Sequence, residues 1–193
     1  MHGGRIWAES EGGHGSRFFM LLPNLGGEWA FHKTTDPLTG VHSRSGFLAL
    51  AEQQFKLLQR KKRSFVLLFV ELEMRRHPRE QDLQEKAQAT MADLAIVLKK
   101  ILRASDIVGR VSEDQFAGMM IEMDTENIAT LTRRLNENLK LLQEEAQNRQ
   151  IPLLINFYPI SSKEGSAESF FDFFQKASHL ILILSKNRRA RKG

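Results

Sequence analysis

A chain of 193 residues has room for one ordinary domain and a smaller appendage, and at that size it needs no covalent staples. It contains no cysteine, which excludes disulfides and thiolate metal sites and fits a reducing, cytoplasmic setting. The formal net charge of +5 gathers in residues 59–63, 75–79 and 187–192. No aromatic residues interleave with the terminal Arg188-Arg189-Ala190-Arg191-Lys192, so residues 188–193 read as a solvated basic tail and nucleic acid is not an expected partner. No apolar run approaches the ~20 residues of a membrane span, and the first residues do not form a signal peptide.

In chain order, RIWAES (5–10) and RFFMLL (17–22) are short strand candidates around a glycine-rich turn. Residues 24–35 show no period and read as a linker, closed by the turn Asp36-Pro37-Leu38-Thr39-Gly40. Residues 43–60 predict a helix with Phe47, Leu50, Ala51, Phe55 and Leu58 on one face. SFVLLFVELE (64–73) predicts a strand covered on both faces, since its apolar run does not alternate. A charged connection, residues 75–79, leads to a helix over 80–104 with Leu83, Ala87, Met91, Leu94, Leu98 and Ile101 along one stripe. IVGRVSEDQFAGMMIE (107–122) is a hairpin around Ser112-Glu113-Asp114-Gln115. A helix over 125–147 aligns Ile128, Leu131, Leu135, Leu142 and Ala146. A strand at 152–158 and a helix at 167–186 close the chain, and Leu180-Ile181-Leu182-Ile183-Leu184 reads as buried helix.

After the linker the order is α-β-α-β-β-α-β-α. This defines an α/β fold in the mixed (α+β) sense: a ferredoxin-like or palm βαββαβ core with a central antiparallel hairpin and helices packed on the sheet. Glu71 and Glu73, at the end of the first core strand, would then lie beside Asp114 at the hairpin turn. Two or three converging carboxylates suit a divalent metal and a polyphosphate; the plainer alternative is a solvated acidic edge.

Residues 36–187 resemble a GGDEF domain, the diguanylate cyclase fold. Asp36, Leu38, Thr39 and Gly40 match the family's Asp-x-Leu-Thr-Gly, and Arg44 keeps the arginine of its Asn-Arg. The interval from Glu71 to Ser112 fits the family without a gap. Glu71-Leu72-Glu73-Met74-Arg75-Arg76 stands where the family has Asp-x-Asp-x-Phe-Lys. The signature Gly-Gly-Asp/Glu-Glu-Phe is rewritten as Ser112, Glu113, Asp114, Gln115 and Phe116.

The resemblance implies that Glu71 and Asp114 are what remains of a Mg2+ site. It also implies that Arg79 and Gln88 have displaced the guanine-binding Asn and Asp. Ser112 and Glu113 replace glycines that let backbone N–H groups approach a triphosphate. A glutamate about 4 Å from a phosphate charge is unfavourable by about 4 kcal/mol at an effective dielectric near 20. The family's closing Ala-Asp-x-Ala-Leu-Tyr-x-Ala-Lys corresponds to residues 177–185, with Ser185 at the lysine. No residue is therefore assigned a catalytic role, and cyclase activity is not expected.

One family motif is spared. Arg103-Ala104-Ser105-Asp106 is separated from Ser112 by five residues, the spacing of the Arg-x-x-Asp product site. The resemblance implies cyclic di-GMP as ligand, held by Arg103, Asp106 and, from the helix after the hairpin, Arg134. A guanidinium can donate to guanine O6 and N7, and a carboxylate can accept from N1 and N2. The plainer reading is that Arg103 complements a helix end and Asp106 caps a loop.

Residues 1–23 resemble the closing strands of a histidine kinase ATPase domain, through Gly3-Gly4-Arg5-Ile6-Trp7-Ala8-Glu9-Ser10, Gly13-His14-Gly15-Ser16-Arg17-Phe18 and Leu22-Pro23. The phosphoacceptor histidine and the Asn and Asp-x-Gly boxes of that family are absent, so the piece reads as a remnant that ties the chain to two-component signalling. Three functions follow from the sequence. The first is a non-catalytic cyclic di-GMP receptor. The second is a structural output domain acting through a homodimer or a protein partner. The third is a weak nucleotidyl enzyme using Glu71, Asp114 and Mg2+.

Overall fold

The computed structural model describes residues 5–11, 15–21, 34–74, 80–123, 125–148, 151, 153–164 and 167–190. The chain divides into two compact units, Met1–Lys33 and Thr34–Gly193. In the first, β1 (Arg5–Glu11) and β2 (Gly15–Leu21) form an antiparallel hairpin in register from Arg5↔Leu21 to Glu11↔Gly15. Pairing runs further into the glycine-rich connection than the sequence suggested. Most of the expected linker lies outside the described residues, but its end does not behave as one: Thr35 bridges His42 and belongs to the second unit.

The second unit is built on β3 (His42–Ser43), β4 (Phe65–Met74), β5 (Ile107–Arg110), β6 (Gln115–Ile121) and β7 (Leu153–Ser161), in the sheet order β3-β5-β6-β4-β7. The helices are α1 (Arg44–Lys61), α2 (Glu80–Ile101), α3 (Thr125–Asn148) and α4 (Phe170–Ala190). Without β3 the order is that of the expected ferredoxin-like core, with β4 antiparallel to both β6 and β7. The two-residue β3, parallel to β5 through His42↔Gly109 and Ser43↔Arg110, is too short to leave an alternating pattern in sequence. Strand β7 runs three residues beyond Tyr158, with Pro159 opposite Leu68. A proline is tolerated there because β7 is an edge strand, with one side free of ladder hydrogen bonds.

The uninterrupted apolar run of β4 is explained by its two covered faces. Val66, Leu68, Val70 and Leu72 pack with Met91, Leu94 and Leu98 of α2 and Leu131, Leu135 and Leu139 of α3. Phe65, Leu67 and Phe69 pack with Phe47, Ala51 and Phe55 of α1 and Phe170, Phe173 and Phe174 of α4. Helix α1 starts where the Ser43 side chain accepts from the Gly46 N–H (3.3 Å) and ends on Lys62 in a left-handed conformation.

Some of the expected stripes are revised. Leu50 lies at the margin of the α1 face and is exposed, while Phe47, Ala51, Phe55 and Leu58 are buried. Helix α2 stops at Ile101, not 104, because residues 103–106 close a turn of their own. Ala87 is half-buried, and the side chain of Leu83 and the connection 75–79 lie outside the described residues. Helix α4 begins at Phe170, where Glu52 Oε2 accepts from the Phe170 N–H (2.9 Å), and continues through Ala190, three residues into the expected tail. Of the run 180–184 only Ile181 is buried, since one face of a helix on an outer layer meets the sheet.

Candidate functional site

The β5–β6 turn is held from within. Val111 N–H and Ser112 N–H both donate to the Gln115 carbonyl, at 2.8 and 3.2 Å. Ser112 Oγ donates to Asp114 Oδ1 (2.7 Å), Arg110 Nη2 donates to the Glu113 carbonyl (2.7 Å), and Arg44 Nη1 donates to the Val111 carbonyl (3.0 Å). Among the described residues the positive-φ positions are Gly40, Lys62 and Glu122, none of them in this turn. Ser112 and Glu113 therefore sit in conformations that L side chains adopt without strain. The Ser112 N–H is directed at a carbonyl of its own turn, not outward to an anion.

Glu71 is brought beside the turn by the backbone. It stands opposite Gln115 in the β4–β6 register, and Leu72 N–H donates to the Asp114 carbonyl (2.8 Å). Its side chain, however, accepts from Ser185 Oγ of α4 at 2.8 Å, and Ser185 Oγ is 3.1 Å from the buried Tyr158 hydroxyl. The pleat explains this: Phe65, Leu67, Phe69 and Glu71 share the face that looks toward α1 and α4. Asp114 is exposed and bonded to Ser112. Glu73, next on the same face, is half-buried and pairs with Leu154 of β7. Among the described residues no group of three or more His, Asp or Glu side chains is arranged to hold a metal ion. Mg2+ in a nucleotide site takes one or two carboxylates together with substrate phosphates, and Glu71 and Asp114 each keep acceptor positions beyond the bond from a serine hydroxyl.

Behind the turn lies a part-buried polar cluster, in which the Asp36–Gly40 loop that the sequence marks meets Arg110 and Lys99, which it does not. Asp36 Oδ1 accepts from Thr39 N–H (2.9 Å) and Thr39 Oγ1 (2.6 Å), and Gly40 turns the loop at φ +63. Lys99 Nζ of α2 donates to the Gly40 carbonyl (2.9 Å). Arg110, in addition to its bond to Glu113, reaches Asp36 Oδ2 at 3.5 Å. Its Nε is buried without a partner, so the guanidinium is held for what its other nitrogens reach. The available signal was an arginine ending the otherwise apolar strand Ile-Val-Gly-Arg.

The Arg-x-x-Asp segment closes as a turn after α2. Asp106 N–H donates to the Arg103 carbonyl (2.9 Å), and Asp106 Oδ2 accepts from Arg103 N–H (2.8 Å). Asp106 Oδ1 also accepts a longer bond from Ile121 N–H (3.4 Å), which ties the loop to the end of β6. Arg103 and Arg134 are exposed, and among the described residues neither guanidinium has an ion-pair partner, whereas the neighbouring Arg133 is paired with Glu137 (2.9 Å). The loop lies at the opposite end of the β5–β6 hairpin from residues 112–114, at the end where α3 begins, and α2 packs on α3. Four β5 residues separate the two ends by about 13 Å.

A ferredoxin-like sheet, covered by helices, with an acidic hairpin turn at the end of its central strand, defines a palm-type domain. The family model "Diguanylate cyclase, GGDEF domain" matches residues 33–179, and the chain belongs to this family. A curated relative, the probable diguanylate cyclase DgcC of Escherichia coli, is 26% identical over 110 residues, covering 57% of this chain and 30% of its own length. The chain thus spans less than a third of that protein. Among solved structures, the GGDEF domain of DgcB from Caulobacter crescentus, in complex with c-di-GMP, matches 80% of this chain and 88% of its own, with a TM-score of 0.60 and 14% identity. A DGC protein from Thermotoga maritima matches 78% of this chain and 98% of its own, with a TM-score of 0.54 and 25% identity.

Proposed function

We propose that this GGDEF domain is a non-cyclising signalling module that binds cyclic di-GMP through Arg103, Asp106 and Arg134. The observation that carries the reading is the contrast between the two ends of the hairpin. At the signature turn the Val111 and Ser112 N–H groups bond within the turn, Asp114 and Glu71 each accept from a serine hydroxyl, and Ser185 stands where the family's lysine would be. At the other end Arg103 is exposed, with no ion-pair partner among the described residues, and adjoins an aspartate fixed by its own loop; Arg134, on α3, is likewise exposed and has no ion-pair partner among the described residues.

A carboxylate has about four acceptor positions. Asp106 uses two on Arg103 and Ile121, which leaves capacity for the N1 and N2 donors of a guanine. Arg103 is free to donate to O6 and N7 or to stack on the base. The β1–β2 hairpin is read as the closing strands of a histidine kinase ATPase domain, which places the module in two-component signalling; the motifs of residues 3–23 support this, together with the pairing of the strands.

Calorimetry of the whole chain with cyclic di-GMP tests the proposal. Saturable heat is expected, weakened about ten-fold or more in Arg103→Ala, since a charge-assisted bond contributes about 1.5–3 kcal/mol. No heat with the wild type, or an unchanged isotherm in the variant, would remove the receptor role.

A further inference from the structure

Helix α4 carries an apolar surface that the rest of the fold leaves open. Its inner face sets Phe170, Phe173, Phe174, Ala177 and Ile181 into the core. Its outer face carries Leu180, Leu182, Ile183 and Leu184, each between 39% and 45% exposed. Exposed aliphatic residues are ordinary when scattered singly; four within five consecutive residues form a patch. Lys186, exposed, follows directly, and the sequence continues through Arg188, Arg189, Arg191 and Lys192 with no Asp or Glu after Asp172.

We propose that the end of α4 is a peripheral docking surface for an anionic lipid bilayer. The aliphatic side chains would enter the boundary between headgroups and acyl chains, and the cations would sit at the lipid phosphates. In the sequence the aliphatic run is followed at once by the cations, and an acidic bilayer complements both. The helix rests on the surface and does not cross it, for no helix among the described residues is long and apolar enough to span. A second copy fits less well. A second copy would bring the same basic sequence, Lys186 to Lys192, to both sides of the contact. Four side chains also fall well short of the roughly 800 Å2 that each partner contributes to a stable interface. The surface is independent of the cyclic di-GMP site, and its fate leaves that reading untouched.

Co-sedimentation of the full chain with vesicles tests this. Binding is expected to phosphatidylcholine vesicles containing phosphatidylglycerol but not to pure phosphatidylcholine, and to be lost in high salt, where screening shortens to about 3 Å. Arg188→Gln with Arg189→Gln should weaken partitioning about thirty-fold, from two basic residues at an acidic surface. Leu180→Gln with Leu184→Gln should also weaken it, with circular dichroism confirming the fold; because the arginine pair leaves the apolar face intact, the test survives if the leucine pair unfolds. Equal binding to neutral vesicles, no binding to acidic ones, or concentration-dependent self-association that the leucine pair abolishes would each overturn the proposal.

Discussion

Ser185 occupies a position with two consequences. Its hydroxyl donates to Glu71 at 2.8 Å and lies 3.1 Å from the Tyr158 hydroxyl, so one small side chain links the last helix, the edge strand and the carboxylate that the family resemblance assigns to a metal. Such a relay is coupled, because removing any member alters the bonds of the other two. Tyr158→Phe and Ser185→Ala should each destabilise the domain by about 1–2 kcal/mol in urea unfolding. The double variant should fall short of the sum of the single effects by more than about 0.5 kcal/mol, the scatter of independent sites. Strict additivity would show that the three groups act separately. Glu71 illustrates what sequence can convey at this scale: its place in the strand and its nearness to the turn were readable from spacing, but the direction of its side chain depended on the pleat and on a serine 114 positions away.

The elements meet most closely where glycine allows it. A Cβ on Gly109 of β5 would lie 2.5 Å from Phe47 Cβ and 3.0 Å from the His42 carbonyl oxygen. The α1 helix and the short β3 strand therefore rest directly on the β5 backbone. A Cβ on Gly118 of β6 would instead meet Leu102 Cδ1 at 3.2 Å, the far end of a side chain that can turn aside. Gly109→Ala should lower stability by about 3 kcal/mol, at the upper end of overpacking costs, and Gly118→Ala by no more than about 1 kcal/mol. Chemical denaturation of the two variants decides it, and equal losses would contradict the packing described. The long elements were legible because each has a single periodicity: the stripes of α2 and α3 and the doubly covered β4. What escaped was set by partners far along the chain, namely β3, the continuation of β7 through Pro159, and the exposure of Leu180, Leu182, Ile183 and Leu184 on a helix whose hydrophobicity alone suggested burial.

Across the whole molecule, the scaffold is distinct from the residues at its hairpin tip. The sheet order and the Asp36 loop belong to the part that matches the GGDEF family, and this much could be read from Asp36 to Gly40 and from the gap-free interval between Glu71 and Ser112. Arg44 and Arg110 hold the hairpin tip through backbone carbonyls, which do not depend on the side chains that form it. The role of Arg110 in joining turn and loop was not legible, because one arginine at a strand end has no period and announces no partner. The central claim is that residues 112–115, with Glu71 held by Ser185, no longer take up a nucleoside triphosphate for cyclisation. Incubating the purified chain with GTP and Mg2+ and separating the nucleotides chromatographically tests this most directly. The account predicts that GTP remains intact, with no cyclic di-GMP above a protein-free control. Steady accumulation of the cyclic dinucleotide, abolished by Asp114→Asn, would contradict it.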